Sequence, residues 1–402
     1  MYCVRKVTDD LYWVGGNDRR LALFENIHPI PKGVSYNAYL LLDEKTVLYD
    51  TSDWSIGRQY LENVAYVLNG RPLDYLVINH MEPDHAASLD EILLRYPDVK
   101  IITTEKALLF MHQFGFSVDE QVEVVKEGDT RCFGKHTVTF VAAPMVHWPE
   151  VMVTFDLTDG VLFSADAFGS FMSLDGKLFA DEVDYDRDWL DEARRYYTNI
   201  VGKYGPHVQK LLAKAGTIDI KIICPLHGLV WRKDLGYLIE KYDKWSSYTP
   251  EKKGVVVAYA SMYGDTECAA NIIAQKLVER GVTDVVMYDV SVTHKSYLIS
   301  DVFKYSHLVL ASVTYNLGIF PPMHEFLMDM KALNVQQRTV GIIENGSWAC
   351  KSGTLMTNLL DEMKQMTVLG SSVTLSSALN DSRMGDMDDL AEAIVDDMNA
   401  AK

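Results

Sequence analysis

The chain has 402 residues, a hydrophobic content of 48%, a charged content of 23% and a formal net charge of -18 at pH 7. That length exceeds one ordinary domain and predicts two or three; the acidic balance argues against a nucleic-acid partner, and no run reaches the roughly 18 apolar residues of a membrane helix. The first six residues lack the apolar core of a secretory signal, and Cys3, Cys132, Cys224, Cys268 and Cys350 are scattered without a CxxC pair, which points to a reducing cytoplasm and excludes a zinc ribbon or rubredoxin-type centre within this chain.

Residues 11 to 50 read as short strands joined by turns. Ala38 to Leu42 and Thr46 to Tyr49 flank Asp43-Glu44-Lys45 as a hairpin. Asp50 follows, and Thr51-Ser52-Asp53 is placed to cap the helical stretch behind it. The largely apolar run Tyr75 to Asn79 leads into His80-Met81-Glu82-Pro83-Asp84-His85, with four metal-ligating side chains in six positions. Ala87 to Tyr96 has helical spacing, with Leu89, Ile92 and Leu93 on one side. Lys100 to Thr104 and Val138 to Ala143 read as strands, and Glu105 as a helix start.

Three further strands end as Tyr75 to Asn79 does. Pro144 to Glu150, containing His147, follows the strand that ends at Ala143. Ala165-Asp166-Ala167 follows Val161 to Ser164, and Pro225-Leu226-His227-Gly228 follows Lys221 to Cys224. Strand ends that project ligands toward one point build a metal site on a sheet scaffold. Arg187 to Gly202 reads as one long helix carrying Tyr196 and Tyr197. Asp243 to Lys253 is polar, with Pro250 and three lysines, and reads as the linker. The expected division is 1–248, a linker 249–253, and 254–402.

From Gly254 strands and helices alternate. Val255 to Tyr259, Asp284 to Tyr288, Leu308 to Ala311, Thr339 to Ile343 and Thr367 to Leu369 read as strands. Thr266 to Arg280, Met323 to Leu333, Lys351 to Met366 and Asp386 to Ala400 read as helices. This is the pattern of a doubly wound parallel sheet.

His80, Glu82, Asp84, His147, Asp166 and His227 supply three imidazoles and three carboxylates. That donor set suits iron, manganese or zinc, and charge at this density is costly to bury unless a cation neutralises it. His28 is a further candidate to approach the site. His112, His136, His207, His294, His307 and His324 read as surface or helix residues. In the second half, Ser261-Met262-Tyr263-Gly264-Asp265-Thr266 lies between a strand and a helix, where hydroxyls and backbone N–H groups make an anion site. It is neither a Walker A loop nor GxGxxG. Ser312-Val313-Thr314-Tyr315-Asn316-Leu317-Gly318 and Asn345-Gly346-Ser347-Trp348-Ala349 follow two other strands of the same sheet, at the edge where such sheets bind ligands.

On these motifs the first half resembles the metallo-β-lactamase fold, an αβ/βα sandwich with metals at one edge. Zinc hydrolases of that superfamily carry HxHxDH, and here Glu82 replaces the second histidine. That departure, with a flavodoxin-like second half, resembles the flavodiiron proteins, or A-type flavoproteins, over essentially the whole chain. Exchanging imidazole for carboxylate adds charge and a harder donor, which favours iron over zinc. The resemblance implies that His80, Glu82 and His147 hold one iron, Asp84 and His227 the other, and that Asp166 bridges them; it leaves open whether His85 coordinates. It implies FMN on the three loops, with Tyr315 and Trp348 as stacking candidates and Tyr196 or Tyr197 lining the substrate pocket. It further implies reduction of O2 to water or NO to N2O and a head-to-tail homodimer or dimer of dimers. With no CxxC pair in this chain, it implies a separate electron donor such as rubredoxin or F420H2. The competing readings are a metal-dependent hydrolase with a flavodoxin-like regulatory domain, and a non-enzymatic electron carrier or redox sensor.

Overall fold

In the first unit, which ends at Asp243, seven strands form a mixed sheet. Their order is Arg5–Lys6, Leu11–Trp13, Tyr39–Leu42, Thr46–Tyr49, Tyr75–Val77, Lys100–Thr103 and Val122–Val124. Five more strands form a second sheet in the order Thr130–Cys132, Thr137–Ala142, Met152–Asp156, Val161–Phe163 and Ile222–Cys224. The computed structural model describes residues 2–400. Thr46–Tyr49 is buried along its whole length, because both faces of this central strand are covered. The two sheets meet through aromatic rings: Tyr49 stacks on Phe163 at 3.7 Å and Tyr39 meets the same ring edge-on at 5.7 Å.

Parallel pairing positions the site. Thr46–Tyr49 runs parallel to Tyr75–Val77, and Val161–Phe163 runs parallel to Ile222–Cys224. Within each pair the carboxyl ends therefore lie at the same edge of the sheet. Those ends carry Asp50, His80, Asp166 and His227.

Several local expectations are corrected. Thr51, Ser52 and Asp53 do not cap the next helix, Gly57–Leu68, which starts after Ile56 without a side-chain cap. Thr51 instead donates through its backbone N–H and hydroxyl to the His85 carbonyl (3.0 and 2.6 Å), and the Ser52 carbonyl accepts from Ser88 Oγ at 2.8 Å. The polar run thus fastens the ligand-bearing loop. The long helix over 187–202 is broken into Tyr185–Asp188, Leu190–Tyr196, a wide π-type turn Tyr197–Val201 and a tight turn Gly202–Tyr204. The wide turn occurs where Tyr197, Thr198, Ile200 and Val201 are all buried, and inserted turns of this kind concentrate near functional sites. His136 and His307 are buried, not superficial: carboxylates of Asp156 and Asp10 flank the first, and Asp397 reaches the second.

The second unit begins at Lys244. Its parallel sheet has the order Val285–Asp289, Lys252–Ala260, Tyr305–Tyr315, Thr339–Asn345 and Thr367–Leu375. Val255, Val257, Val309 and Ile343 pack against Ala269, Ile273, Leu277, Leu390 and Ile394 from helices Asp265–Glu279 and Met384–Ala400. Gly341 admits helix Met384–Ala400 closely, since a Cβ there would lie 2.9 Å from Leu390 Cδ1. Helix Leu235–Ser246 runs into the stretch read as a linker and strand Lys252–Ala260 starts within it, with residues 247–251 in irregular structure between them. Ser312 to Tyr315 continue their strand instead of forming a loop; Asn316 and Leu317, both at positive φ, turn it back so that Tyr315 pairs with Gly318. The helix expected to reach Met366 stops at Asp361, and the strand after it runs on to Leu375.

Candidate metal centre

The strands hand over their ligands at sharp bends. Asp50, Met145, Ala165 and Phe168 have φ of 58, 66, 51 and 68°, left-handed values that cost a non-glycine residue about 1–3 kcal/mol and persist only where surrounding contacts impose them. Asp50 shows how. Its Oδ1 accepts the backbone N–H groups of Asn79 (2.7 Å) and His80 (3.3 Å), and its Oδ2 accepts Asn79 Nδ2 at 2.7 Å. Burial pushes the Asp50 carboxyl up to about 6 against these hydrogen bonds.

Two groups of ligand atoms result. His80, Glu82, His147 and Asp166 form one, and Asp84, His85 and His227 the other; within each, the atoms lie within 4.8 Å of one another. Glu82 Oε2 is 3.2 Å from His80 Nε2 and 3.1 Å from His147 Nε2. Asp84 Oδ2 is 3.2 Å from His227 Nε2 and 3.3 Å from His85 Nε2. Asp166 joins the groups. Its Oδ2 faces His147 Nε2 (3.0 Å) and His80 Nε2 (3.5 Å), while its Oδ1 faces His85 Nε2 (3.2 Å) and His227 Nε2 (3.6 Å). The structure thus brings together all seven sequence-selected residues. His85, left open by the sequence, points its Nε2 to within 3.1 Å of His227 Nε2.

The arrangement fits a pair of cations. Both oxygens of Asp84 and Oδ1 of Asp166 are buried with no hydrogen-bond partner among the described residues, an expensive state unless a cation satisfies them. Burial lowers the pKa of His80 and His147, but hydrogen bonds to Asp166 and Glu82, and for His80 also Glu150, outweigh it. His80 ends well above its ordinary value and His147 is pushed up to about 9. Burial raises Glu82 and Asp166, yet the neighbouring imidazoles hold both carboxyls below their usual range. The carboxylates thus draw protons onto the imidazole nitrogens that face the centre, and a metal pair sharing a carboxylate would take the place of those protons, because a ligating imidazole is neutral.

Residues absent from the sequence-selected set complete the site. Glu150, three positions after His147, takes His80 Nδ1 at 2.7 Å, and the Ser35 carbonyl takes His227 Nδ1 at 2.7 Å. Asp50 also follows a strand and could have been found by the same recurrence, but nothing local distinguished Ser35. A cavity of about 490 Å³, lined by Leu23, Phe24, Glu25, Tyr36, Glu82 and Asp84 among others, opens onto the ligands. Burial, with Glu82 alongside, pushes Glu25 up to about 8. His28 is buried on the same hairpin, 3.8 Å from Glu25. The Tyr196 ring lies 5.5 Å from His227, whereas Tyr197 packs on Tyr242 at 5.0 Å; Tyr196 is the one beside the ligands.

In the second unit, Gly264 at φ 101° opens helix Asp265–Glu279, and its N–H donates to Ser261 Oγ at 3.0 Å. No side chain caps that helix end, so its first N–H groups face outward as an anion cradle. Thr266, Ser312 and Asn345 are buried. Asn345 Nδ2 donates to Thr266 Oγ1 (3.2 Å) and to the Ser377 carbonyl (2.8 Å), while Ser347 Oγ meets Ser377 Oγ at 2.7 Å. The loops from Thr266, from Asn345 and Gly346, and from Ser377 are clipped together, and the last was missed in the sequence. Thr314 Oγ1 accepts the N–H groups of Lys351 and Ser352, supporting the hairpin of Tyr315, Asn316 and Gly318. Met262, Asp265, Tyr315 and Asn316 are exposed, and Tyr263 and Trp348 almost completely so, at 92% and 91%.

Residues 34–228 match the family described as ODP family beta lactamase, and residues 257–392 match flavodoxin. The chain is 32% identical over 335 residues to a nitric oxide reductase of Moorella thermoacetica, covering 83% of each chain. It is 33% identical over 364 residues to the rubredoxin-oxygen oxidoreductase of Megalodesulfovibrio gigas, covering 89% of each. A solved variant of the flavo di-iron protein of Thermotoga maritima matches with a TM-score of 0.90 at 26% identity over 99% of both chains.

Proposed function

Because the chain belongs to the flavodiiron protein family, we propose that it is an oxidoreductase that passes electrons from FMN to a non-haem di-iron centre reducing O2 to water, NO to N2O, or both. The observation that carries this reading is Asp166, whose two oxygens face the two ligand groups in a chain that also bears a flavodoxin segment. The metal pair, when bound, supplies the electrons and the Lewis acidity for reducing a diatomic ligand. His80, Glu82, His147 and Asp166 hold one metal, and Asp84, His85, His227 and Asp166 the other. Phe24, Phe171 and Tyr196 wall the centre with apolar surface beside His227 and restrict water. Glu82, where the hydrolases carry imidazole, adds an anionic oxygen that favours iron.

Residues 1–248 carry the metals and 254–402 the flavin, with 249–253 between them. The N–H groups after Gly264, with Ser261 and Thr266, receive the FMN phosphate, while Tyr315 and Trp348 flank its ring. Exposed apolar side chains support a head-to-tail homodimer. Leu23 lines the metal cavity, the exposed Ile27 and Trp54 directly follow its lining residues Asn26 and Asp53 in the chain, and Met262, Tyr263, Tyr315, Leu317 and Trp348 lie exposed on the flavin loops; each group finds cover against the other on a second copy. The electron donor is a separate rubredoxin-type protein or a reduced cofactor such as F420H2. All five cysteines are free and no described helix is long and apolar enough to cross a membrane, in keeping with a cytoplasmic location.

The test is anaerobic purification with metal and flavin analysis, then stopped-flow mixing of the reduced protein with O2 and NO separately. About one FMN and two irons per chain, with oxidation by at least one gas, is expected. Two zincs, with no turnover after iron reconstitution, would return the hydrolase reading.

A further inference from the structure

The two ligand groups are backed differently. His227 donates its Nδ1 proton to a neutral acceptor, the Ser35 carbonyl at 2.7 Å. His80 is backed by the fully buried carboxylate of Glu150, also at 2.7 Å. The same Glu150 oxygen accepts the Met81 N–H at 3.0 Å, so one atom fixes both the ring and the backbone of the loop that carries His80 and Glu82. Trp148 closes the remaining side, its ring edge-on to His80 at 5.4 Å and backed by Phe110 at 6.0 Å. Glu150 Oε2 is buried without a hydrogen-bond partner among the described residues. A carboxyl group is therefore kept out of water beside one imidazole, and a backbone carbonyl beside the other. An anionic acceptor on the far nitrogen locks the ring with its Nε2 lone pair facing the metal and makes that nitrogen a stronger donor than a carbonyl does.

We propose that Glu150 is a positioning residue that makes the metal position of His80, Glu82 and His147 the tighter of the two, so that the pair fills in a fixed order. This rests on the two-metal reading above. Glu150 touches neither substrate nor metal; it acts through His80 and the Met81 backbone. The position of Asp84 and His227 has no equivalent, since Nδ1 of His85 is buried without a partner among the described residues.

Stepwise metal uptake tests this. The full-length, metal-free, FMN-loaded chain is titrated anaerobically with Co(II), whose d–d absorption reports each position separately. The wild type should fill in two resolved steps. Glu150→Gln preserves volume and an acceptor for the Met81 N–H but removes the charge; it should weaken the first step about 10–100-fold, alter its d–d spectrum and leave the second step in place. Asp84→Asn should weaken the second step instead, which identifies the steps. Where the amide variant does not fold, Glu150→Asp serves, with the charge kept and the reach shortened, and again the first step alone should weaken. A Glu150→Gln or Glu150→Asp titration that overlays the wild type, or one that weakens the second step, overturns the proposal while the oxidoreductase reading stands. A wild-type chain that takes up no pair of metals overturns the reading beneath it.

Discussion

His136 offers a test in which the sign and size of an effect follow from three side chains. Its ring is 1% exposed. Nδ1 lies 2.7 Å from Asp156 Oδ2 and Nε2 lies 3.0 Å from Asp10 Oδ2. Asp156 ends the strand Met152–Asp156, and Asp10 precedes Leu11–Trp13, so the imidazole bridges the first sheet to the second. Burial lowers the ring's pKa, but the two carboxylates outweigh it and push it up to about 9. In the unfolded chain it returns to about 6.5. A group raised on folding contributes stability that is fully present below the unfolded value and lost as pH rises through the folded one. The window is therefore about pH 6.5 to 9. At 1.36 kcal/mol per pH unit the gap corresponds to about 3 kcal/mol; Lys135, 2.9 Å from Asp10, already neutralises part of that charge, which brings the expected loss to about 1–3 kcal/mol. Asp10 itself is held well below the usual carboxylate range, so its own contribution disappears only at acid pH and does not overlap the window. Urea unfolding of the metal-loaded protein from pH 5.5 to 9.5, followed through tryptophan fluorescence, measures the effect. His136→Gln should be less stable than wild type by this amount below pH 6.5, and the two should converge near pH 9.5. A constant difference across the range, or none, refutes the reasoning.

Glu82→His restores the hydrolase spacing. It should lower the iron-to-zinc ratio when both metals are supplied and abolish turnover with O2 and NO while FMN stays bound and reducible. Full iron occupancy with full activity would remove Glu82 from the ligand set. Asp166→Asn should weaken both metal positions, since each of its oxygens serves a different group, without favouring zinc as strongly, as metal analysis of the same preparations will show. Trp348→Ala and Thr266→Ala should each release FMN, read as free flavin fluorescence after desalting, with iron content near normal; Thr266→Ala also unclips Asn345. Arg338→Met should cost at least about 3 kcal/mol, measured by calorimetry. It would strand the carbonyls of Val302, Tyr248, Gln336, Gln337 and Phe303, all of which the buried guanidinium now satisfies.

The cluster of ligand-type side chains and the presence of two kinds of fold were legible in the sequence because both are local. A metal site on a sheet scaffold needs apolar strands that end in His, Asp or Glu, and residues 75–85, 138–147, 161–166 and 221–227 each spell that pattern without reference to the others. The alternating pattern beyond Gly254 likewise announces a parallel sheet, because strand and helix periods differ. Exchange of one imidazole for Glu82 is a chemical statement that a single position makes. What the sequence could not decide depends on which strands become neighbours. Only parallel pairing of Thr46–Tyr49 with Tyr75–Val77 turns Asp50 toward His80. Only the folded loop turns Glu150 back onto a histidine 70 positions earlier and sets Ser35 against one 192 positions later. The same holds for the direction of His85, for Tyr196 instead of Tyr197 beside His227, and for His136, which the sequence left as a surface or helix residue and two distant carboxylates hold in the interior. The candidate donors are carried by residue type and spacing; their orientation and mutual facing are carried by contacts between segments far apart in the chain, and those exist only once the sheets have closed.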